Sequence, residues 1–188
     1  MSFGEKPSLT HFGYDVDLVT SSQNPAQSSL ATAVLELEQH AAGYGWDGPV
    51  LVFALVNSRA ATLRDPRFAD TLPDRERAAA DPHHLTAVEQ QDLPHADSLE
   101  DLLASLAWPD TVDGAAVVVE SLLGADAGQD VRLAVGVLRG GESWCAVRLR
   151  SHDDDALVLS SADAVPGLVE AVRATLTPPP GSQPPPAS

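Results

Sequence analysis

A short run of residues with metal-ligand side chains, Asp81-Pro82-His83-His84, is the first candidate for chemistry in this chain. Carboxylate and imidazole groups are common zinc ligands in hydrolases, and His152 could add a further donor. Adjacent histidines on a strand point to opposite sides, so both can bind one ion only if they lie in a loop. We interpret the run as a polar surface loop and predict neither a metal nor a cofactor. The alternative is a metal-dependent hydrolase-like enzyme using acidic residues and His, with Asp81, His83, His84 and His152 as ligands.

Three further candidates also favour a structural interpretation. Glu89 and Asp92 have the spacing of one helical face, but nothing places them in a cleft for acid–base work. Residues 152–155 (HDDD) lack the alternating oxygen ligands and the distal Glu of a calcium-binding loop. Cys145 lies in an apolar strand pattern, where a thiol behaves as a small hydrophobic residue. The standard nucleotide-binding and acyl-transfer motifs are also missing, which leaves other enzymes possible but predicts no catalytic residue.

Charge is distributed unevenly along the chain. Residues 78–131 contain eleven Asp or Glu and no Lys or Arg, in a chain of 188 residues with a net charge of -16. Such a chain repels nucleic acid and anionic lipid and is attracted to basic protein surfaces. We therefore expect a protein partner or self-association as a homodimer, with no nucleic acid and no membrane insertion.

The apolar pattern predicts a mixture of strands and helices. Runs of strand length occupy residues 50–56, 115–123, 131–138 and 143–150. Helices are predicted to begin near Asn24, at Ser98 with Asp101 as its capping-box partner, and at Pro166, while Ser58 could cap a short one. Strands joined by short turns indicate an α+β fold: an antiparallel sheet of about four strands with helices at both ends and on one face.

The first predicted helix begins where Asn24 can cap it and Pro25 fits the first turn, and it ends at Gly43. Its apolar residues recur at helical spacing along one face: Leu30, Val34, Leu37 and Ala41. We expect the acidic residues Glu36 and Glu38 to point away from that face.

Residues 139–142 (RGGE) separate the last two predicted strands and indicate a hairpin. A two-residue loop would place Leu133 opposite Arg148, whereas a three-residue loop with a glycine bulge pairs Leu138 with Glu142. The second register collects the apolar residues on one face: Val131, Leu133, Val135, Val137, Cys145, Val147 and Leu149. A slip of one residue would exchange the two faces, so the pattern favours the three-residue loop.

The opposite face of this hairpin brings Trp144 close to Arg132, Arg148 and Arg150. Arg132 and Arg148 lie directly opposite each other, so an acidic group must neutralise them. The acidic segment 78–131 could do so within the chain; an acidic partner or a second copy of the chain is the alternative. Because Trp and Arg are enriched in interface hot spots, the face is a candidate contact surface. The predicted partner-binding residues are Trp144, Arg132, Arg148 and Arg150, with Glu100 and Asp101 steering a basic partner.

The two ends differ from the middle in composition. Residues 1–23 show no sustained periodicity and are expected to form a loosely ordered arm, while the Pro-rich residues 177–188 are expected to be a disordered tail. Residues 24–176 then form a single α+β domain. The N-terminus lacks a basic region followed by an apolar one, and no apolar run has the length of a bilayer span. We therefore expect a cytoplasmic protein.

Several segments carry a resemblance to known sequences: LATAVLELEQHAAGYGWDGPVLVFALV, LTAVEQQDLP, LEDLLASLAWPDTVDGAAVVVESL, VRLAVGVLRGGESWCAVRLR and VPGLVEAVRATL. Over most of residues 30–176 the chain resembles a small family of uncharacterised, acidic, single-domain actinobacterial proteins. The AWPD and WCAVRLR runs make the match specific. The resemblance implies no catalytic residue, and the helix–strand–helix order is similar to that of secretion-chaperone folds, which is an analogy of fold alone.

Together these observations predict a non-enzymatic protein-binding module of adaptor or chaperone-like type. They rest on the uneven charge and on the Trp144 and arginine face of the hairpin. The metal-dependent hydrolase remains the alternative.

Overall fold

A computed structural model describes residues 24–123 and 128–177, which form a six-stranded antiparallel sheet with helices on both faces. The helices are α1 (Pro25–Ala42), α2 (Ser58–Arg64), α3 (Arg75–Ala80), α4 (Leu99–Ser105) and α5 (Pro166–Thr175). The strands are β1 (Leu51–Asn57), β2 (Leu85–Glu89), β3 (Gly114–Leu123), β4 (Gln129–Leu138), β5 (Ser143–Leu149) and β6 (Leu159–Ser161). Apart from Thr177, the predicted N-terminal arm and Pro-rich tail lie outside the described residues.

The strands lie in the order β2-β1-β3-β4-β5-β6. The four predicted strands are the four central ones, so the α+β class is confirmed, but the sheet has six strands and not about four. The two missed strands, β2 and β6, lie at the edges. Both are short and partly exposed, and such strands leave little of the periodicity that a buried strand leaves in a sequence.

Helix α1 covers one face of the sheet. Its start is fixed by the Asn24 side chain, which accepts a hydrogen bond from the Gln27 N–H at 2.8 Å, as the cap predicts. The helix comes very close to β4 at Gly136, where an added Cβ would lie 2.6 Å from Val34 Cγ2 and 3.0 Å from Leu30 Cδ1. Only glycine allows this approach of helix to strand.

Helices α4 and α5 cover the other face. Their leucines and valines pack on the apolar side of the hairpin and of β3, in a cluster separate from the one beneath α1. The prediction of helices on one face is therefore wrong. The physical reason is that β3 and β4 are buried on both sides over most of their length, and a strand that is apolar on both sides needs cover above and below.

The β4–β5 hairpin has the predicted register. The Leu138 N–H donates to the Glu142 carbonyl at 2.9 Å, and Gly141 has a φ of 105°, a conformation that favours glycine. Arg132 pairs with Arg148 across the strands, and Gly136 pairs with Trp144. The predicted dry face packs against α4 and α5.

The caps of two shorter helices can be compared with the predicted ones. Asn57, and not Ser58, caps α2, because its side chain accepts from the Ala60 N–H at 2.9 Å. Ser98 caps α4 as predicted, accepting from the Asp101 N–H at 3.1 Å.

No helix in the described ranges combines the length and the apolar character needed to cross a bilayer.

Candidate functional site

The arginines that face each other on the hairpin lie beneath α1. Arg132 and Arg148 are each 2% exposed, and Trp144 is 9% exposed. Glu38 of α1 reaches down to them and is itself fully buried. Its Oε1 accepts from Nε of Arg148 at 2.7 Å, and its Oε2 accepts from Nη2 at 2.7 Å. Glu38 Oε1 also lies 3.6 Å from Nη1 of Arg132, so one helix carboxylate serves both guanidinium groups.

The prediction that Glu38 points away from the core is wrong. Leu30, Val34 and Glu38 follow each other at intervals of four, so the three side chains lie on one stripe of the helix. This spacing is the feature of the sequence from which the burial of Glu38 could have been predicted. A buried carboxylate is costly unless it is paired and hydrogen-bonded, and the two arginines of the sheet satisfy that condition here.

Further carboxylates reach the same arginines from two other elements. Arg148 contacts Asp153 Oδ1 at 3.2 Å and Asp155 Oδ1 at 2.6 Å, both in the segment after β5. Arg132 Nη2 contacts Glu120 of β3 at 3.0 Å. The hydrogen bonds that Arg148 donates to Glu38 and Asp155 raise its pKa, although burial acts in the opposite direction. Of the acidic segment 78–131, Glu120 thus neutralises Arg132, while Arg148 depends on carboxylates from elsewhere.

The loop between α1 and β1 closes the end of this cluster. The Trp46 ring lies 4.4 Å from the guanidinium carbon of Arg132 and 5.4 Å from that of Arg150, within cation–π range. The Trp46 Nε1–H donates to Asp153 Oδ2 at 2.9 Å. Asp47, with a φ of 68°, binds both Nη atoms of Arg150 at 3.1 and 2.9 Å.

We call this set of side chains the Arg–Trp cluster, consisting of Glu38, Trp46, Asp47, Glu120, Asp130, Arg132, Arg148, Arg150, Asp153 and Asp155. Within the described residues it holds three guanidinium groups and six carboxylates, so it keeps an excess of negative charge. The carboxylates at its rim are the exposed ones: the Asp47, Asp153 and Asp155 side chains are 58%, 48% and 68% exposed. The face that the cluster presents outward is therefore acidic.

The predicted partner-binding residues are not brought together on one surface. Trp144, Arg132 and Arg148 are closed off by α1, whereas the Arg150 side chain is 38% exposed at the rim of the cluster. Glu100 and Asp101 lie in the exposed first turn of α4, on the other face of the sheet. A direct contact of a partner with Trp144 would require α1 to move.

Of the residues of the alternative metal site, Asp81, His83 and His84 stay close together and only His152 lies far from them. His84 Nδ1 is hydrogen-bonded to the buried Ser58 Oγ at 2.7 Å, and Asp81 accepts from Ser29 Oγ at 2.7 Å. His152 follows β5, and β1, β3 and β4 lie between that strand and β2. In the part of the chain that the structure describes, no three or more His, Cys, Asp or Glu side chains are arranged to hold a metal ion.

The remaining candidate residues, Glu89, Asp92 and Cys145, lie at positions that indicate a structural role. Glu89 ends β2 and Asp92 follows it with a φ of 56°, so the two do not share a helical face. Cys145 is completely buried on the dry face of the hairpin, and burial raises the pKa of its thiol to about 11. A thiol with so high a pKa is a poor nucleophile near neutral pH.

A pocket that sequence reasoning missed lies between α1 and the beginning of β2. It has a volume of about 210 Å³ and carries two carboxylates, those of Glu36 and Asp81. Arg77 of α3 reaches across it and donates to Glu36 Oε1 at 2.5 Å. The other lining residues are Ser28, Ser29, Thr32, Ala33, His84 and Leu85. No motif marks this pocket, because its residues come from three elements that meet only in the folded chain.

The fold and the ionic cluster define an α+β protein in which a carboxylate of one helix bridges two buried arginines of an antiparallel sheet. The chain belongs to the family of PPA1309-like proteins, an uncharacterised family whose model matches residues 30–127 and 123–177. This confirms the resemblance to a small uncharacterised family. No curated protein and no solved structure matched the chain, so the likeness to secretion-chaperone folds stays a prediction.

Proposed function

We propose that this protein is a non-enzymatic protein-binding module, of adaptor or chaperone-like type, that binds a basic partner. The observation that carries the proposal is the internal neutralisation of the hairpin arginines. Glu38 and Glu120 neutralise Arg132, and Glu38, Asp153 and Asp155 neutralise Arg148. These arginines therefore need no acidic partner, and exposed carboxylates elsewhere on the chain, such as those of Glu100 and Asp101, can face a basic one.

The overall charge supports the same conclusion. The chain carries a net charge of -16, and exposed carboxylates occur both at the rim of the Arg–Trp cluster and in the first turn of α4. A field of this sign accelerates association with a basic surface and disfavours a second copy of the same acidic chain. A basic protein is therefore a better partner than a homodimer through these surfaces.

The test is affinity purification of the tagged full chain from its native host, at low and at high salt, followed by mass spectrometry. We expect a specific basic protein that is retained at low salt and lost at high salt, since screening shortens the reach of exposed charges. The interaction is then repeated with the purified partner. Recovery of no partner at either salt concentration, or of one whose affinity rises with salt, would overturn the proposal.

Two charge-matched double variants show which acidic surface is used. Glu36→Gln with Asp81→Asn neutralises the pocket beside β2, and Glu100→Gln with Asp101→Asn neutralises the first turn of α4. Both remove two negative charges, so an equal, small effect would be a general effect of net charge. A loss of affinity confined to one variant locates the contact and supports the proposed function; affinity for the purified partner unchanged in both, and insensitive to salt, contradicts it.

A further inference from the structure

Strand β2 offers backbone hydrogen-bonding groups on its outer side, where no other strand among the described residues pairs with it. The Ser58 N–H donates to the His84 carbonyl at 3.0 Å, and the Gln90 N–H donates to the Val52 carbonyl at 2.8 Å. Backbone groups alternate between the two sides of a strand, so residues 84, 86, 88 and 90 face β1. The N–H and C=O groups of Leu85, Ala87 and Glu89 therefore point outward.

The side chains of the same three residues lie on the α1 side of the sheet. Leu85 and Ala87 pack in the cluster beneath α1, and Glu89 Oε2 lies 3.6 Å from His40 Nε2 of that helix. The Ser29 hydroxyl of α1 donates a hydrogen bond to Asp81, which lies just before β2. One side of α1 therefore lies next to β2, with the 210 Å³ pocket at the beginning of the strand and the His40–Glu89 contact at its end.

Both ends of this edge carry carboxylates. Asp81 and Glu36 line the pocket, and Glu36 already pairs with Arg77. Although burial acts in the opposite direction, hydrogen bonds from the Ser29 hydroxyl and the His83 N–H lower the pKa of Asp81 and keep it ionised near neutral pH. Glu89 has a side chain that is 33% exposed. The edge is therefore suited to a chain that carries positive charge.

We propose that the outer edge of β2 binds an extended segment of the basic partner by strand addition, with a lysine or arginine side chain in the pocket at Asp81. The inference rests on the proposed function and names the surface and the kind of segment that would carry it out. In this mode main-chain hydrogen bonds supply affinity, and pockets for alternate side chains supply specificity.

The geometry defines the spacing of the basic residues in the partner. Residues directly opposite each other in an antiparallel pair point to the same face, so side chains opposite Leu85, Ala87 and Glu89 lie on the α1 side. The first and last of these positions are four residues apart, roughly 13 Å along a strand. The segment should therefore read basic-x-apolar-x-basic, with its intervening residues on the side of Val88, which is 42% exposed.

The probe is a fluorescein-labelled nonapeptide of Thr and Val with lysine at its positions 3 and 7, and fluorescence anisotropy measures its binding to the full chain. We expect saturable binding. A version with Glu in place of both Lys should bind at least about tenfold more weakly, because like charges then face each other. A version N-methylated at positions 3, 5 and 7 keeps the charge but loses the main-chain donors, and it should also bind at least about tenfold more weakly.

The matched protein variants are Ala87→Pro and Ala87→Ser. Proline removes the outward N–H without breaking a bond to β1 and is tolerated at such edge positions, whereas serine keeps the N–H. We expect Ala87→Pro to weaken peptide binding about tenfold and Ala87→Ser to leave it near the wild-type value. Amide exchange of the wild-type chain gives an independent readout that needs no variant: the amides of residues 85, 87 and 89 should become protected when the peptide binds.

Equal binding by Ala87→Pro and Ala87→Ser, equal binding of the N-methylated peptide, or absence of new protection at residues 85, 87 and 89 would overturn strand addition. These failures are distinct from failure of the proposed function. A salt-sensitive partner that Ala87→Pro still captures would leave the binding module standing and refute this surface. If the wild-type chain captures no partner, the proposed function itself is refuted.

Discussion

Glu38 of α1 and Arg148 of β5 are 110 positions apart in the sequence and form a doubly hydrogen-bonded ion pair that is closed to solvent. The pair fixes α1 over the hairpin at one place and one rotation. A buried ion pair of this kind is strongly destabilising when one partner alone is removed, because the other charge stays in the interior without compensation. The same carboxylate also faces Arg132, so its loss affects two cations.

Glu38→Gln should lower the free energy of unfolding by about 3–5 kcal/mol, measured by urea or thermal denaturation. The matched control is Glu36→Gln, two residues earlier in the same helix, whose side chain is 53% exposed and should contribute less than about 1 kcal/mol. If both variants lost the same free energy of unfolding, Glu38 would not be the group that compensates the charge of the buried arginines. A double-mutant cycle with Arg148→Met measures the coupling itself.

Gly136→Ala should destabilise the fold by about 1–3 kcal/mol, because the new methyl group meets Val34 and Leu30 of α1 and overpacks the interface. Gly48→Ala is the matched control: an added Cβ there meets nothing within 4 Å, and we expect a change within about 0.5 kcal/mol. Thermal unfolding of the two variants decides the matter. A neutral Gly136→Ala would mean that α1 does not approach β4 as closely as described.

Stability should fall at alkaline pH because of Cys145. Burial raises its pKa from 9.0 to about 11, so above pH 9 the unfolded state loses its proton while the folded state keeps it. The unfolded state then binds fewer protons, and the free energy of unfolding decreases as pH rises from about 9 to 11, by up to about 3 kcal/mol. Below pH 9 this contribution is fully present.

The measurement for Cys145 is urea denaturation at pH 8, 9, 10 and 11 for the wild type and for Cys145→Ala. Other groups titrate in this range in both proteins, so the difference between the two curves isolates the thiol. We expect the variant to be less stable at pH 8 and to approach the wild type as pH rises. Parallel curves would contradict a buried, protonated thiol.

Trp46 should contribute through two separable interactions. Trp46→Phe keeps an aromatic ring and removes the hydrogen bond to Asp153, which should lower the free energy of unfolding by about 1 kcal/mol. Trp46→Leu also removes the stacking on the buried Arg132, which should lower it by about 2 kcal/mol more. Tyr44→Phe, in the same loop and 64% exposed, serves as the control and should change stability by less than about 0.5 kcal/mol. Equal values for the Phe and Leu variants of Trp46 would rule out a cation–π contribution.

Local patterns in the sequence were sufficient for much of the fold. The caps at Asn24 and Ser98 act within three residues, and the register of the β4–β5 hairpin follows from a glycine in the turn and from alternation along two adjacent strands. Each of these features depends only on residues that are close together in the sequence, so it can be predicted from the sequence. The predicted opposition of Arg132 and Arg148 is confirmed for this reason.

The site depended on contacts that no local pattern contains. Arg132 and Arg148 are buried because Glu38, more than ninety residues earlier in the chain, lies above them. The edge of β2 acquires a pocket because Ser29, Arg77 and Asp81 meet there. The sequence alone determined that Arg132 and Arg148 would share a face and need a negative charge. Only the tertiary structure decided that one carboxylate of α1 lies between both arginines, because long-range packing selects which of many carboxylates comes close to them.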